Sequence, residues 1–284
     1  MNTKLMTLCA VVAVMLVSAN AVSSYAAIPY NEGFDSGPPL WNSEDDGPKD
    51  GKWYTDRYTP YGFTAADFDG DSRLKLSIDD AYYKGYGDFY ATQGRKYDTW
   101  GAKYAQVDVY IPDDWASNNR YAGFWGTTFD TTGSYINGYP ICAFRSYDGS
   151  LSEVDDAVTA GFYWYTQDVD WDHNHEYEEG NAGYVELMSF ESDDYNQWYT
   201  LRYAITSNSF AVSIQDALGD ELVSVNDPHI FDSTQIGNIM LQGYNFNEDY
   251  DVYFDNAEAN VPEPATMSLL AIGGLALLRR RRKA

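Results

Sequence analysis

The sequence has little cysteine, little histidine and little positive charge. It contains two cysteines, and because Cys9 lies in an apolar N-terminal run, Cys142 is left alone and no disulfide framework is expected. Three histidines without a Gly-x-Ser-x-Gly segment argue against a serine hydrolase. The 43 acidic residues outnumber 18 basic ones, a net charge of −25, which repels phosphate groups and excludes nucleic acid as a partner. Divalent cations and neutral polymers remain as candidate ligands.

Sustained helical periodicity is also missing between residues 28 and 260. Short runs rich in β-branched and aromatic residues are separated by Gly, Asn, Asp and Pro. Residues 105–111 alternate apolar with polar side chains, and residues 198–206 and 209–215 form a pair across a tight connection. This period-2 alternation predicts half-buried strands. We therefore expect an all-β, two-sheet antiparallel sandwich that forms one domain over residues 28–260.

The N-terminal residues 1–27 have the organisation of a secretory signal peptide. Lys4 provides the positive charge, residues 5–17 the apolar helix, and residues 19–21 or 24–26 a small-residue cleavage site. An uncleaved membrane anchor would need about 20 apolar residues, more than this run contains. The sequence therefore predicts an exported protein.

The C-terminal residues 261–284 contain three elements in order. Pro262, Glu263 and Pro264 come first, followed by the apolar run 267–278 and the basic cluster 279–283. The two prolines disfavour helix and sheet, so they leave an extended strip that an enzyme can bind. As a helix the apolar run spans roughly 18 Å of a hydrocarbon core of about 30 Å. This predicts a short hydrophobic helix that anchors the chain transiently in the inner membrane, with the basic cluster in the cytoplasm; an ordinary C-terminal anchor is the alternative.

This order of elements resembles the PEP-CTERM sorting signal of Gram-negative bacteria. The resemblance implies recognition at Pro262, Glu263 and Pro264 by an exosortase, a membrane transpeptidase or protease that cleaves near the motif. It also implies delivery to the cell surface or to the exopolysaccharide of the extracellular matrix.

The middle of the chain resembles concanavalin A-like lectin/glucanase domains, including laminin-G-like modules. The residues that carry the resemblance are the opening segment 31–35 with Trp41, the strand beginning at Trp198, and the closing segment 251–256. The resemblance implies a jelly roll whose first and last strands pair. It would place Asp35 near Asp255, where related sandwiches hold a structural calcium ion.

A second calcium site is predicted from spacing alone. Carboxylates at positions 1, 3, 5 and 12 of an EF-hand-type loop are the oxygen ligands that calcium prefers, and this spacing is met by Asp168, Asp170, Asp172 and Glu179. His173 stands where such a loop has glycine for its sharp turn. A solvated acidic loop is the alternative interpretation.

Catalysis is not expected, because the laminarinase-like relatives of this fold use two glutamates on one strand face. The nearest segment begins at Glu153 and lacks the second glutamate.

The 17% aromatic content offers flat rings that can stack on sugars, and the candidates are Trp125, Trp164 and Trp171. Ordinary sheet packing of aromatic residues is the alternative. We therefore predict a non-catalytic surface or matrix protein able to bind polysaccharide, with a glycoside hydrolase or lyase as the alternative.

Overall fold

The structure is a computed structural model that describes residues 30–32, 53–55, 62–82, 92–133, 136–148, 157–165, 184–228 and 232–260. These residues belong to one compact unit, residues 27–260. The signal peptide and the C-terminal sorting segment, with their predicted helices, lie outside the described residues. Within the described part of the chain, no helix is long and apolar enough to cross a membrane.

Sixteen strands and three short 3-10 helices make up the described structure. The helices are Asp80–Tyr82, Asp113–Ser117 and Ser192–Asp194. In chain order the strands are β1 (Tyr30–Glu32), β2 (Tyr54–Thr55), β3 (Gly62–Phe68), β4 (Asp71–Ile78), β5 (Thr92–Ala102), β6 (Tyr104–Ile111), β7 (Arg120–Phe129), β8 (Ile136–Gly138), β9 (Ile141–Tyr147), β10 (Val158–Tyr165), β11 (Tyr184–Ser189), β12 (Gln197–Ile205), β13 (Phe210–Asp216), β14 (Glu221–Asp227), β15 (Gln235–Tyr244) and β16 (Tyr250–Asn260).

The strands form two eight-stranded sheets. Sheet I has the order β14-β13-β12-β6-β16-β4-β3, with β1 paired to β16. Sheet II has the order β11-β10-β9-β7-β15-β5-β2, with β8 paired to β7. All described strand pairs are antiparallel, and the chain passes repeatedly from one sheet to the other. This confirms the predicted all-β, two-sheet antiparallel jelly-roll sandwich.

The first and last described strands lie side by side. Tyr30 pairs with Ala259 and Glu32 with Ala257. This is the pairing that the concanavalin A-like resemblance implies.

The core between the sheets follows directly from the alternation in the sequence. On β6 the buried positions are Ala105, Val107, Val109 and Ile111, and the residues between them are half-exposed. Phe124, Phe144 and Phe162 of sheet II are fully buried, and the Phe124 ring lies 4.9 Å from that of Tyr203 on β12. Each such side chain contributes about 1.5–3 kcal/mol through burial.

Cys142 lies in this core as the sequence predicts. Its side chain is fully buried, and burial raises the pKa of the thiol to about 12. The thiol is therefore protonated at neutral pH and has a structural role.

Candidate functional site

The two faces of sheet II differ in what they contact. Phe124, Phe144 and Phe162 pack in the core, so the alternating positions of the same strands point away from sheet I. We call that second surface the outer face of sheet II. Its residues on the central strands are Met240 and Gln242 from β15, Tyr121, Gly123 and Trp125 from β7, Ile141, Ala143 and Arg145 from β9, and Tyr163 from β10.

This outer face is buried, unlike the solvated face of an ordinary sandwich sheet. Strands β7, β9 and β15 are buried at every position, whereas β6 in sheet I alternates between buried and half-exposed positions. The buried residues include aromatic rings and uncharged polar groups beside aliphatic side chains. Flat rings combined with fixed amide and hydroxyl groups are the ingredients of a site for a neutral or weakly charged organic ligand.

Glycine at position 123 fixes the placement of a tyrosine ring. A Cβ atom on residue 123 would lie 2.7 Å from the hydroxyl oxygen of Tyr121, so only glycine lets that ring lie over the strand. Trp125 Nε1 donates a hydrogen bond of 2.6 Å to the same hydroxyl. The Tyr121 and Trp125 side chains are thereby held as one unit on the outer face.

Three amide side chains on β15, those of Gln235, Asn238 and Gln242, carry buried oxygens without a protein hydrogen-bond donor. Gln242 and Asn238, which lie opposite Gly123 and Thr127 of β7, are 6% and 4% exposed. The Asn238 amide nitrogen donates to Thr127 Oγ1. Leaving a buried acceptor unpaired costs about 1–3 kcal/mol, so both oxygens lower the stability of the fold as they stand.

Arg145 lies among three tyrosine rings on the same side of the sheet. Its guanidinium carbon is 3.8 Å from the ring centroid of Tyr184, 5.0 Å from that of Tyr147 and 5.5 Å from that of Tyr163. Burial raises the pKa of Tyr163 and of Tyr184 to about 12, so these phenols are neutral at physiological pH. The rings contribute cation–π attraction of about 0.5–2 kcal/mol each and no countercharge.

Of the three tryptophans predicted to stack on sugars, Trp125 lies on the outer face of sheet II. Trp164 does not, and the expectation that it faces outward is corrected: it is 2% exposed and packs in the core against Tyr203 and Phe210. Its Nε1 donates a hydrogen bond to Asp227. The segment Phe162–Tyr163–Trp164–Tyr165 places aromatic residues on both faces of its strand, so its sequence does not indicate which residues face the core.

Asp255, predicted to hold calcium together with Asp35, is engaged by protein groups. Its carboxylate forms an ion pair with Arg73 and accepts a hydrogen bond from the backbone N–H of Asn256. A guanidinium bound to the carboxylate competes with a cation there, and the calcium site of Asp35 and Asp255 stays a prediction. Asp35 itself lies outside the described residues.

The remaining predicted site residues lie outside the part of the chain that the structure describes. They are Trp171, the acidic loop residues Asp168, Asp170, Asp172 and Glu179, and the sorting residues Pro262, Glu263 and Pro264. The sequence did not single out Tyr121, Arg145, Asn238 and Gln242. The signal that could have found them is the presence of polar residues within runs that are otherwise buried on both faces.

Comparison of sequence families identifies the C-terminal segment. Residues 260–283 match the PEP-CTERM protein-sorting motif. The chain therefore carries this motif, which indicates an exported cell-surface protein processed by an exosortase. No curated protein matches the chain.

Comparison of structures finds similar sandwiches. A non-specific endo-β-1,3(4)-glucanase of family GH16 is 11% identical, with a TM-score of 0.47 over 85% of this chain and 97% of that one. The carbohydrate-binding module CBM66 from Bacillus subtilis is 11% identical, with a TM-score of 0.36 over 78% of this chain and 100% of that one. A sialidase is 11% identical, with a TM-score of 0.39 over 75% of this chain, which spans 17% of the sialidase. Function therefore has to be argued from the site itself.

Proposed function

We propose that the protein is a non-catalytic surface or extracellular matrix protein of a Gram-negative bacterium that binds polysaccharide on the outer face of sheet II. The observation that carries the proposal is the pair of buried acceptor oxygens, Gln242 Oε1 and Asn238 Oδ1, without protein donors on the face that holds Tyr121 and Trp125. Sugar hydroxyls are donors that would satisfy these oxygens, and aromatic rings suit the apolar faces of sugars.

The position of the carboxylates supports binding over hydrolysis. Among the described strand residues of sheet II, the acidic ones are Asp98 on β5 and Glu186 on β11, which are separated by five inter-strand steps. At 4.7–4.9 Å per step that distance is roughly 24 Å. Retaining glycosidases need carboxyl groups about 5–5.5 Å apart, and inverting ones about 6.5–9.5 Å apart. A hydrolase or lyase would have to draw its acidic groups from elsewhere in the chain.

The proposal is tested with the mature exported protein on a glycan array. Reducing-sugar release and formation of unsaturated sugar ends are measured in parallel, and we expect binding without either product. Product formation would instead establish the hydrolase or lyase alternative.

A variant pair places the binding on one sheet. Gln242→Leu removes the unpartnered amide oxygen together with a weak hydrogen bond from the amide nitrogen to Met240 Sδ, so we expect it to abolish glycan binding while the free energy of unfolding stays equal or rises. Gln215→Leu is the matched control, because Gln215 is a half-buried strand residue of sheet I, and it should bind as the unmodified protein does. Equal binding by both variants would contradict the proposed face.

Sorting is proposed to pass through a transient inner-membrane anchor. The apolar run 267–278 would hold the chain until exosortase cleaves near Pro262, Glu263 and Pro264. Mass spectrometry of the surface-associated protein should find a C-terminus near that motif. An extracellular form that retains the basic residues 279–283 would refute this route.

Calcium binding by the acidic loop of Asp168, Asp170, Asp172 and Glu179 stays a prediction. Its ligand spacing suits calcium, and its effect on stability is the readout given in the Discussion.

A further inference from the structure

We propose that the polysaccharide is acidic and that Arg145 receives one of its carboxylate or sulfate groups. The inference rests on the proposed binding at the outer face of sheet II and names the class of ligand. What carries it is a buried guanidinium that the described protein does not neutralise.

Two arginines that form ion pairs among the described residues, Arg73 and Arg120, show what Arg145 lacks. Arg73 pairs with Asp71 at 2.7 Å and also with Asp255. Arg120 pairs with Glu248 at 2.5 Å. Arg145 is 7% exposed, yet no described carboxylate lies within ion-pair distance of it.

The composition makes this lack of a partner informative. With 43 acidic and 18 basic residues, the chain has carboxylates in large excess over cations. A guanidinium stays charged at all physiological pH values, and a buried charge is normally paired because desolvation is costly. A buried arginine that meets only neutral rings is therefore suited to an anion from outside the chain.

The Nε of Arg145 is buried and has no protein partner, which is also true of Arg73 and Arg120. The lack of a described carboxylate is therefore what distinguishes Arg145 from those two arginines. The planar guanidinium presents parallel N–H donors that match the two oxygens of a carboxylate or sulfate. Arg145 pairs with Tyr121 across β9 and β7, and Gln242 lies one strand further, opposite Gly123. At 4.7–4.9 Å per strand, the strand positions of Arg145, which would bind the anion, and of Gln242, which would bind a sugar hydroxyl, are roughly 10 Å apart across the sheet.

The net charge of the protein sets the conditions for the test. Long-range repulsion between a chain of charge −25 and a polyanion would slow binding at low salt. At 0.15 M ionic strength the Debye length is about 8 Å, so distant carboxylates are screened and the local contact dominates.

The first experiment varies the ligand and leaves the protein unchanged. Calorimetric titration of the mature protein in 0.15 M NaCl uses polygalacturonate, the same polymer after its carboxyl groups are reduced to alcohols, and dextran sulfate. We expect at least tenfold tighter binding to polygalacturonate or to dextran sulfate than to the reduced polymer, and the two anionic polymers distinguish carboxylate from sulfate. Equal or tighter binding to the reduced polymer would overturn the role of the anion and leave the proposed function intact. Failure to bind any glycan, here and on the array, would overturn both.

The second experiment assigns the preference to Arg145. Arg145→Gln should remove the preference for the anionic polymer, and Arg145→Lys should restore part of it because the charge returns without the planar fork. Arg202→Gln is the matched control, since Arg202 also stacks on a tyrosine, 4.5 Å from the Tyr104 ring, but does so on sheet I. Urea unfolding verifies that each variant is folded. A folded Arg145→Gln variant that keeps the tenfold preference would overturn the proposal.

Discussion

The outer faces of the two sheets share strand geometry and differ in how their polar groups are satisfied. On sheet I, Arg73 pairs with Asp255 and Lys75 with Asp251 at 3.3 Å. On sheet II, Arg145 meets neutral rings and Gln242 keeps an unpartnered oxygen. These two cations of the first face are paired with carboxylates of the protein, whereas Arg145 on the second meets no described carboxylate.

Aromatic content does not distinguish the two faces. Sheet I has its own outer cluster, in which the Phe68 ring lies 4.7 Å from Tyr110, 5.9 Å from Trp198 and 4.6 Å from Tyr253. These half-exposed rings contact one another across neighbouring strands, as aromatic residues commonly do on a solvated sheet. The difference between the faces therefore lies in how these cations are paired, and counting rings in the sequence cannot reveal it.

The largest difference in stability loss is expected between substitutions of two tryptophans, Trp125 on sheet II and Trp198 on sheet I. Trp125→Ala removes a side chain that is 3% exposed and should lower the free energy of unfolding by about 3–5 kcal/mol. Trp198→Ala removes a half-exposed ring of the sheet I cluster and should cost about 1 kcal/mol. Urea unfolding measures both. Equal losses would show that the two outer faces are packed alike.

Calcium should act on one edge of sheet II. The acidic segment with Asp168, Asp170, Asp172 and Glu179 lies between β10 and β11 in the sequence, and a ligand at a hundredfold excess over its Kd stabilises by about 2.7 kcal/mol. We expect millimolar calcium to raise the melting temperature and to slow hydrogen exchange in β11, while β14 at the edge of sheet I is unaffected. An unchanged melting temperature in calcium and in chelator would argue against a site in this loop.

The pH dependence of stability should report on Asp255 in sheet I. Burial raises the pKa of Asp255 from its usual 3.8 to about 6, although Asn256 and Arg73 oppose the rise. The folded state then holds the proton more tightly than the unfolded chain, so this group's contribution to stability falls as pH rises from about 4 to 6, by about 1–3 kcal/mol. Asp255→Asn mimics the protonated form, so the difference in stability between variant and parent should grow over that interval. A difference that stays constant from pH 4 to 7 would contradict this.

The smallest change in the free energy of unfolding is expected for the half-exposed ion pair between Lys75 and Asp251 on sheet I. Asp251 accepts a hydrogen bond of 2.6 Å from Ser77 and pairs with Lys75. Because exposed ion pairs contribute little, Asp251→Ala should change the free energy of unfolding by about 1 kcal/mol or less and leave glycan binding unaltered. A loss of binding would place part of the ligand on sheet I.

Strands β6, β12 and β13 of sheet I were predictable because one of their faces meets water. Alternation over residues 105–111, and over the pair 198–206 and 209–215, matches β6, β12 and β13. Strand β5 was missed, because Thr92–Ala102 is largely polar and its buried positions include Gln93 and Arg95. Hydrophobic alternation thus identifies strands only where burial and hydrophobicity coincide.

The candidate site could not be predicted in the same way. A strand buried on both faces has no polar phase, which is why Trp164 was assigned outward and packs inward. Arg145 carries no local signal, since its importance comes from Tyr184 and Tyr163 on other strands and from the carboxylates it does not meet. Such features depend on contacts between residues far apart in the chain.

The position of β16 has a mechanical consequence. Its 11 residues are hydrogen-bonded to β6 on one side and to β4 and then β1 on the other, and it ends at Asn260, where the sorting motif begins. A pull along the strand axis from beyond residue 260 would load these bonds together, in shear, whereas an edge strand pulled sideways would open one bond at a time. Once the chain is attached through its C-terminal side, flow or shear at the cell surface would therefore be resisted by an interior strand of sheet I.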